Sequence, residues 1–276
     1  MARRTTAIAT ALTVLVLGSP LITSCANPWA TKSYNSGVEK YQQGDYQGAI
    51  IDYNVAIEIN PQYVDAYVNR GVAKDDSGDY KGAIADYTKA LDIDPQFASA
   101  YSNRGNTKNE LKDYQGAISD YTKAIEIDPQ FADAYFNRGI PKYKLKDYQG
   151  AILDYSKALE INPQMAIAYS NRGVAKDDLG DHQEAIVDYT KAIEIDPKDA
   201  AAYSNRGNSK NQLKDYQGAI ADYAKALEHN SQFSNAYAGR GISKELIGDL
   251  EGACVDWRKA ADLGMELPAQ WVQQQC

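Results

Sequence analysis

The chain has 276 residues, 44% of them apolar and 24% charged, the profile of a folded protein with a sizeable core rather than of a disordered or membrane-embedded one. Its formal charge is -8 at pH 7. A surface of that sign lacks the basic footprint that phosphate backbones require, so nucleic acid is not an expected partner.

The chain opens with "MARR", a positive stretch, followed by the apolar "TTAIATALTVLVLG" and the small-residue run "SPLITSC". That order predicts a secretory signal over residues 1–24, too short in its apolar part to span a bilayer comfortably. Its end, "LITSC", resembles the lipobox of bacterial lipoproteins, which implies that Cys25 is diacylated on its sulfur and becomes the mature N-terminus. The competing expectation is ordinary cleavage after Ala26, with "SCA" as the small-x-small site. Arg3-Arg4 alone does not complete a twin-arginine signal. Residues 25–32 are expected as a short linker.

From there a 34-residue period takes over: "VNRG" at 68–71, "SNRG" at 102–105, "FNRG" at 136–139, and "SNRG" at 170–173 and 204–207. Aligned on glycine, seven copies begin near Ala30, Val64, Ala98, Ala132, Ala166, Ala200 and Ser234 and occupy residues 33–264. In the third copy, "AYSNRGNTKNELKD" reads as one helix. "GAISDYTKAIEIDP" reads as a second, because Ala117, Ile118, Tyr121, Ala124 and Ile125 form one apolar stripe. Between them stand Gly44-Asp45, Gly78-Asp79 or Lys112-Asp113 in successive copies, with Asp placed as the N-cap of the second helix. Pro61, Pro95, Pro129, Pro163 and Pro197 then stop that helix. A longer spacing of 102 residues also shows: copies two and five share "NRGVAKDD", and copies three and six share most of "NRGN-K-N-LKDYQGAI".

Period, glycine, alanine, aromatic and proline in this register resemble the tetratricopeptide repeat, through Tyr101, Gly105, Ala117, Tyr121, Ala124 and Pro129 in copy three. The resemblance implies an all-α fold, a right-handed superhelical α-solenoid of helix-turn-helix units, with the first helices lining a concave groove. Two slots depart from the family. Arg stands before each glycine from copy two on, and Lys three residues after it. Each copy also carries an Asp in its second helix, from Asp52 to Asp256, so a ladder of Arg-Asp pairs is the expected structural role of that arginine.

The beginning of the groove-facing helix raises a second question. Asn69, Asn103, Asn137, Asn171 and Asn205 lie beside the Arg, and an amide there either grips a peptide backbone or ties neighbouring helices together; both readings stand. By resemblance, groove positions in copy three are Ser99, Ser102, Asn106, Asn109 and Glu110, and in copy six Ala201, Ser204, Asn208, Asn211 and Gln212. Asp75, Asp76, Asp177 and Asp178 make copies two and five acidic there. Copy four alone brings Phe136, Ile140 and Tyr143, together with Lys144, expected as an aromatic binding patch, the alternative being that Phe136 and Tyr143 tuck into neighbouring helices; Pro141 in the same helix is expected to kink it. The family's carboxylate clamp needs Lys at the fifth position, where this chain has Val68, Ser102, Phe136, Ser170, Ser204 and Ala238.

The last copy ends in "GACVDWRKAADLG", and residues 265–276 are expected as a polar capping helix. With Cys25 assigned to lipid, Cys254 and Cys276 are expected to form a disulfide. His182 and His229 replace residues that are structural in other copies, and no phosphate loop, paired-cysteine metal motif or nucleophile elbow occurs. The expected protein is therefore not an enzyme and uses no cofactor or metal. It is a scaffold that binds a protein or peptide in its groove, exported and anchored by lipid at a bacterial envelope membrane, facing the periplasm or the cell exterior. The alternatives are a soluble periplasmic or secreted form, a structural spacer or homo-oligomer whose groove is filled by itself, and, most weakly, an accessory subunit of an envelope enzyme.

Overall fold

The structure is a computed structural model that describes residues 27–276; the predicted signal and Cys25 lie outside the described residues. The described residues hold fifteen α-helices and no strand. They divide into two compact units, one ending at Lys146 and one beginning at Asp147.

In the first unit α1 (Pro28–Gln42), α3 (Val64–Asp76), α5 (Ala98–Glu110) and α7 (Ala132–Lys144) are first helices; α2 (Tyr46–Ile59), α4 (Tyr80–Ile93) and α6 (Tyr114–Ile127) are second helices. The second unit opens with α8 (Tyr148–Ile161), a second helix. It continues through α9 (Ala166–Leu179), α10 (His182–Ile195), α11 (Ala200–Gln212), α12 (Tyr216–His229), α13 (Ser234–Leu246) and α14 (Leu250–Asp262), and ends in α15 (Glu266–Gln275). The first helix starts earlier than the linker expected over residues 25–32. Asn27 accepts a hydrogen bond from the Trp29 N–H and Pro28 needs no donor partner at the first turn, so residues 28–32 are already helical.

Each turn between paired helices follows from two residues. The position before the cap is left-handed, φ 80° at Gly44 and 87° at Gly78, while Lys112 and Lys214 tolerate φ 63° and 64° in the same place. The following Asp caps the second helix: Asp45, Asp79, Asp113, Asp147, Asp215 and Asp249 accept from the N–H of a glycine three residues on. That glycine is required, because a Cβ on Gly116 would stand 2.2 Å from the Asp113 carboxylate. Where Glu184 replaces it, Asp181 makes no such bond. At the other end, Asn60, Asp94 and Asp128 leave the helix in extended geometry and accept from the backbone two residues on.

Packing within a pair rests on glycine against tyrosine. A Cβ on Gly71, Gly105 or Gly173 would come within 2.6, 2.8 or 2.7 Å of the ring of Tyr87, Tyr121 or Tyr189, and each of these rings is fully buried. Burying one such side chain contributes roughly 1.5–3 kcal/mol, and alanines such as Ala117 and Ala124 fill what remains at 0% exposure. In copy seven Trp257 takes the tyrosine's place over Gly241 and meets Trp271 of α15 at 5.3 Å. Cys254 and Cys276 are joined by a disulfide, with Cα atoms 5.8 Å apart, which ties the end of the capping helix to α14. Helix α7 continues through Pro141, which is buried, to Lys144.

Candidate functional site: the first-helix faces

Within each unit successive first helices adjoin: α1 with α3, α3 with α5 and α5 with α7, then α9 with α11 and α11 with α13. A hydroxyl ladder laces them. Thr107 donates to Asp75 at 2.7 Å, Ser209 to Asp177 at 2.8 Å, and Ser243 to Asn211 at 2.9 Å, each reaching back 32 residues. Sequence reasoning missed this ladder, although a Ser or Thr recurring 32 residues after an Asp or Asn was its signal. Pro141 occupies the donor's slot in copy four, and the Oδ1 of Asn109 is buried without a hydrogen-bond partner.

The asparagines beside the arginines are interior. Asn69, Asn103 and Asn137 are 0% exposed, and Asn171 and Asn205 are 2% exposed. Asn69 donates to the Tyr34 hydroxyl at 2.8 Å, and Asn137 donates at 3.1 Å to Asn106, which also accepts from Tyr121. Asn208 accepts from Tyr223 at 2.7 Å, and Asn211 donates to the same hydroxyl at 3.2 Å. Both amide atoms of Asn171 are buried without a hydrogen-bond partner. Of the two readings of the asparagines, the geometry at Asn69, Asn106 and Asn137 is that of ties between helices. The expected aromatic patch is likewise corrected: Phe136 is 0% exposed and Ile140 2%, while Tyr143 is half-buried. Close approach of adjoining first helices draws bulky side chains at those slots inward, where apolar area is removed from water.

The arginines do pair with aspartates. Arg104 donates from Nε and Nη2 to both oxygens of Asp120, at 2.9 and 2.7 Å, and Lys108 reaches the same carboxylate at 2.7 Å. Arg172-Asp188 with Lys176, Arg206-Asp222 with Lys210, and Arg240-Asp256 with Lys244 repeat the arrangement. Each guanidinium also stacks about one turn back on tyrosine, as Arg104 does on Tyr101 at 5.5 Å. Its remaining nitrogen reaches the second helix of the preceding copy: Arg70 to Asn54, Arg104 to Thr88, Arg138 to Thr122, Arg172 to Ser156 and Arg206 to Thr190. Fork geometry thus neutralises a buried acid and staples one copy to the next. This leaves the arginines committed to structure.

The accessible residues at the ends of α3 and α5 include acids. Asp76 and Glu110 are exposed and Asp75 is half-buried. Burial raises the pKa of Asp75, the bond from Thr107 opposes this, and the nearby carboxylates of Asp76 and Glu110 raise it further. Burial alone raises those of Asp65 and Asp133. Tyr41 donates to Asp76, and burial together with that bond pushes its hydroxyl pKa well up, keeping it a donor. Among the described residues no group of three His, Cys, Asp or Glu is placed to hold a metal ion. No helix among them is long and apolar enough to cross a membrane.

The tetratricopeptide repeat model matches residues 98–131, 132–165, 166–199 and 200–233, and a TPR repeat model matches 37–74 and 76–109. The chain belongs to the tetratricopeptide repeat family. Among solved structures, this repeat protein is similar to a tetratricopeptide repeat protein from Parabacteroides merdae, at 22% identity over 89% of this chain and 98% of that one, with a TM-score of 0.64. It also resembles the MamA protein, at 30% identity over 61% of this chain and 92% of that one, with a TM-score of 0.57. YrrB, described as a TPR protein with an unusual peptide-binding site, matches at 25% identity over 67% of this chain and 95% of that one, with a TM-score of 0.59. No curated protein matches this repeat protein. No enzyme family is indicated by the matches.

Proposed function

We propose that this tetratricopeptide repeat protein is a non-enzymatic scaffold, held at a bacterial envelope membrane by acylation of Cys25, whose first-helix faces bind an extended, cationic segment of a partner protein. The observation that carries the reading is the placement of Asp75, Asp76 and Glu110 on the adjoining first helices α3 and α5, with Asp76 and Glu110 open to solvent and each near enough to Asp75 to act on it. Three acids in one place raise the local concentration of a positive partner and favour its charge-assisted hydrogen bonds. The peptide-binding site named for YrrB supports the same use of the fold. A lipid-held scaffold needs no catalytic group, and the residues that looked most chemical, the arginines and aspartates of the ladder, are spent on holding copies together.

The test removes the charge of the open acids. In cells crosslinked before lysis, Asp76→Asn, which keeps an acceptor for Tyr41, combined with Glu110→Lys is expected to lose the partner recovered with the parent protein, while the thermal midpoint stays unchanged. The parent complex is expected to dissociate as salt rises, because exposed ion pairs are screened over about 8–10 Å at physiological ionic strength. Undiminished recovery with the double variant sinks the groove reading.

A further inference from the structure

On the outward side of the second helices, one slot is Lys in six copies: Lys89, Lys123, Lys157, Lys191, Lys225 and Lys259. Four of these lysines bond a glutamate three residues on, as Lys123 does to Glu126 at 2.6 Å, a solvated arrangement. Copy one has Val55 there. With Ile51 and Ile59 it forms an i, i+4, i+8 stripe along α2, the three residues being 60%, 39% and 36% exposed in the order Ile51, Val55, Ile59. The stripe is about 12 Å long at 1.5 Å per residue. Elsewhere a single exposed apolar residue at the Ile51 slot, Leu153, Val187 or Val255, is followed four positions on by lysine.

Three further observations, at the Ile59 end of copy one, bear on what covers this face. Trp29, in the first turn of α1, is 69% exposed, with the Lys32 ammonium 5.7 Å from its ring, the pairing of amphipathic ring and cation that suits a lipid headgroup layer. Antiparallel packing puts Trp29 at the same end of copy one as Ile59: Tyr41 meets Tyr46 beside the turn at 5.4 Å, and Ser36 bonds Asp52 further along. Cys25 lies three positions before the first helical residue, Pro28, so a lipid on its sulfur would stand within roughly 10 Å of extended chain from α1.

We infer that copy one rests on the lipid surface itself: Trp29 sits among the headgroups, and Ile51, Val55 and Ile59 lie against the acyl boundary. The inference rests on the acylation of Cys25 proposed above. The acyl chains on Cys25 would hold the protein at the membrane without fixing its orientation, and an apolar patch beside the anchor adds area and sets which face lies toward the bilayer. The first helix carries no acid in its first turn to oppose anionic lipid.

The test uses the full-length acylated protein in vesicles of phosphatidylethanolamine and phosphatidylglycerol. Acyl-brominated lipid is expected to quench Trp29, with Trp29→Phe reporting the background from Trp257 and Trp271, and the quenching is expected to be lost in Ile51→Lys with Val55→Lys. A photoactivatable phenylalanine in place of Ile51 is expected to give lipid adducts. Both lysine substitutions are at exposed sites, and an unchanged thermal midpoint shows that the fold is kept. Mass analysis of the N-terminal peptide separates the two ways of failing. An unmodified Cys25 overturns the anchor and this inference with it. An acylated Cys25 with quenching no greater than in Trp29→Phe, or with adducts only to protein or to a second copy, overturns the inference alone.

Discussion

The first copy and the later ones hold the same aspartate with different tools. Asp52 is gripped by Lys40 at 2.8 Å and by the Ser36 hydroxyl at 2.6 Å, and its side chain is 17% exposed. Asp188 is gripped by Arg172 and Lys176 and is 2% exposed. The two tools differ in reach. Arg70, Arg104, Arg138, Arg172 and Arg206 each extend a third nitrogen to the second helix of the copy before them, whereas Ser36 bonds only within copy one. In copy seven a covalent tie is added: α15 covers Trp257 and is fastened by Cys254-Cys276.

Removing the fork from a later copy gives the largest expected effect. Arg172→Ala leaves Asp188 buried with Lys176 alone and frees Ser156, and it is expected to cost about 3 kcal/mol in denaturant unfolding. If the loss were no greater than that of Ser36→Ala, the contrast between the copies would fail. Replacing both Cys254 and Cys276 by alanine opens a 22-residue separation and is expected to cost about 3 kcal/mol or somewhat less, with protease cleavage appearing first after Gly264. Ser36→Ala removes one bond to an acid that keeps its lysine, so about 1 kcal/mol or less is expected in the same assay.

The smallest effect concerns pH. Asp75 has a folded pKa above its unfolded value, chiefly through burial, so its ionised form carries a penalty at neutral pH that is relieved as pH falls through the folded pKa. Asp75→Asn keeps an oxygen for the Thr107 hydroxyl and drops the charge. It is expected to stabilise at pH 7 by less than about 1 kcal/mol, since solvent screens a partly exposed group, and the gain is expected to vanish toward pH 4. Asp52 has the opposite sign. Burial pushes its pKa up, but the bonds from Lys40 and Ser36 prevail and hold it below the usual carboxylate range, so its contribution is lost as pH falls. Thermal melts across that range distinguish the two carboxylates.

Much of the architecture was readable because repetition makes each rule visible several times. The helix pairs, the Asp caps, the proline stops, the close glycine and the Arg-Asp ladder all recur at a fixed period, and a role repeated in register is hard to misread. The interior of the first-helix faces was less legible. Ser102, Asn103 and Phe136 differ in size and polarity, yet all three are buried, because adjoining helices decide exposure there and a single-helix pattern does not encode the neighbour's distance. The Thr107-Asp75 bond was hidden for the same reason, since its partners lie on helices from different copies. Asp76 and Glu110 remained open because they occupy the last turn of their helices, beyond the span that the next copy covers.

The backward-reaching arginine also gives the array a direction of growth. Copies two to five carry the fork and offer the hydroxyl that the successor needs, whereas copy six presents Ala224, so whole 34-residue segments are expected to be exchangeable among copies two to five with seams that match. The opening segment obeys another grammar, with serine where the fork would be, and a duplicate of it placed downstream would break the chain of handholds. Gene duplication that lengthens such a protein is therefore easiest among its middle copies and hardest at the first copy and the disulfide-bonded last one.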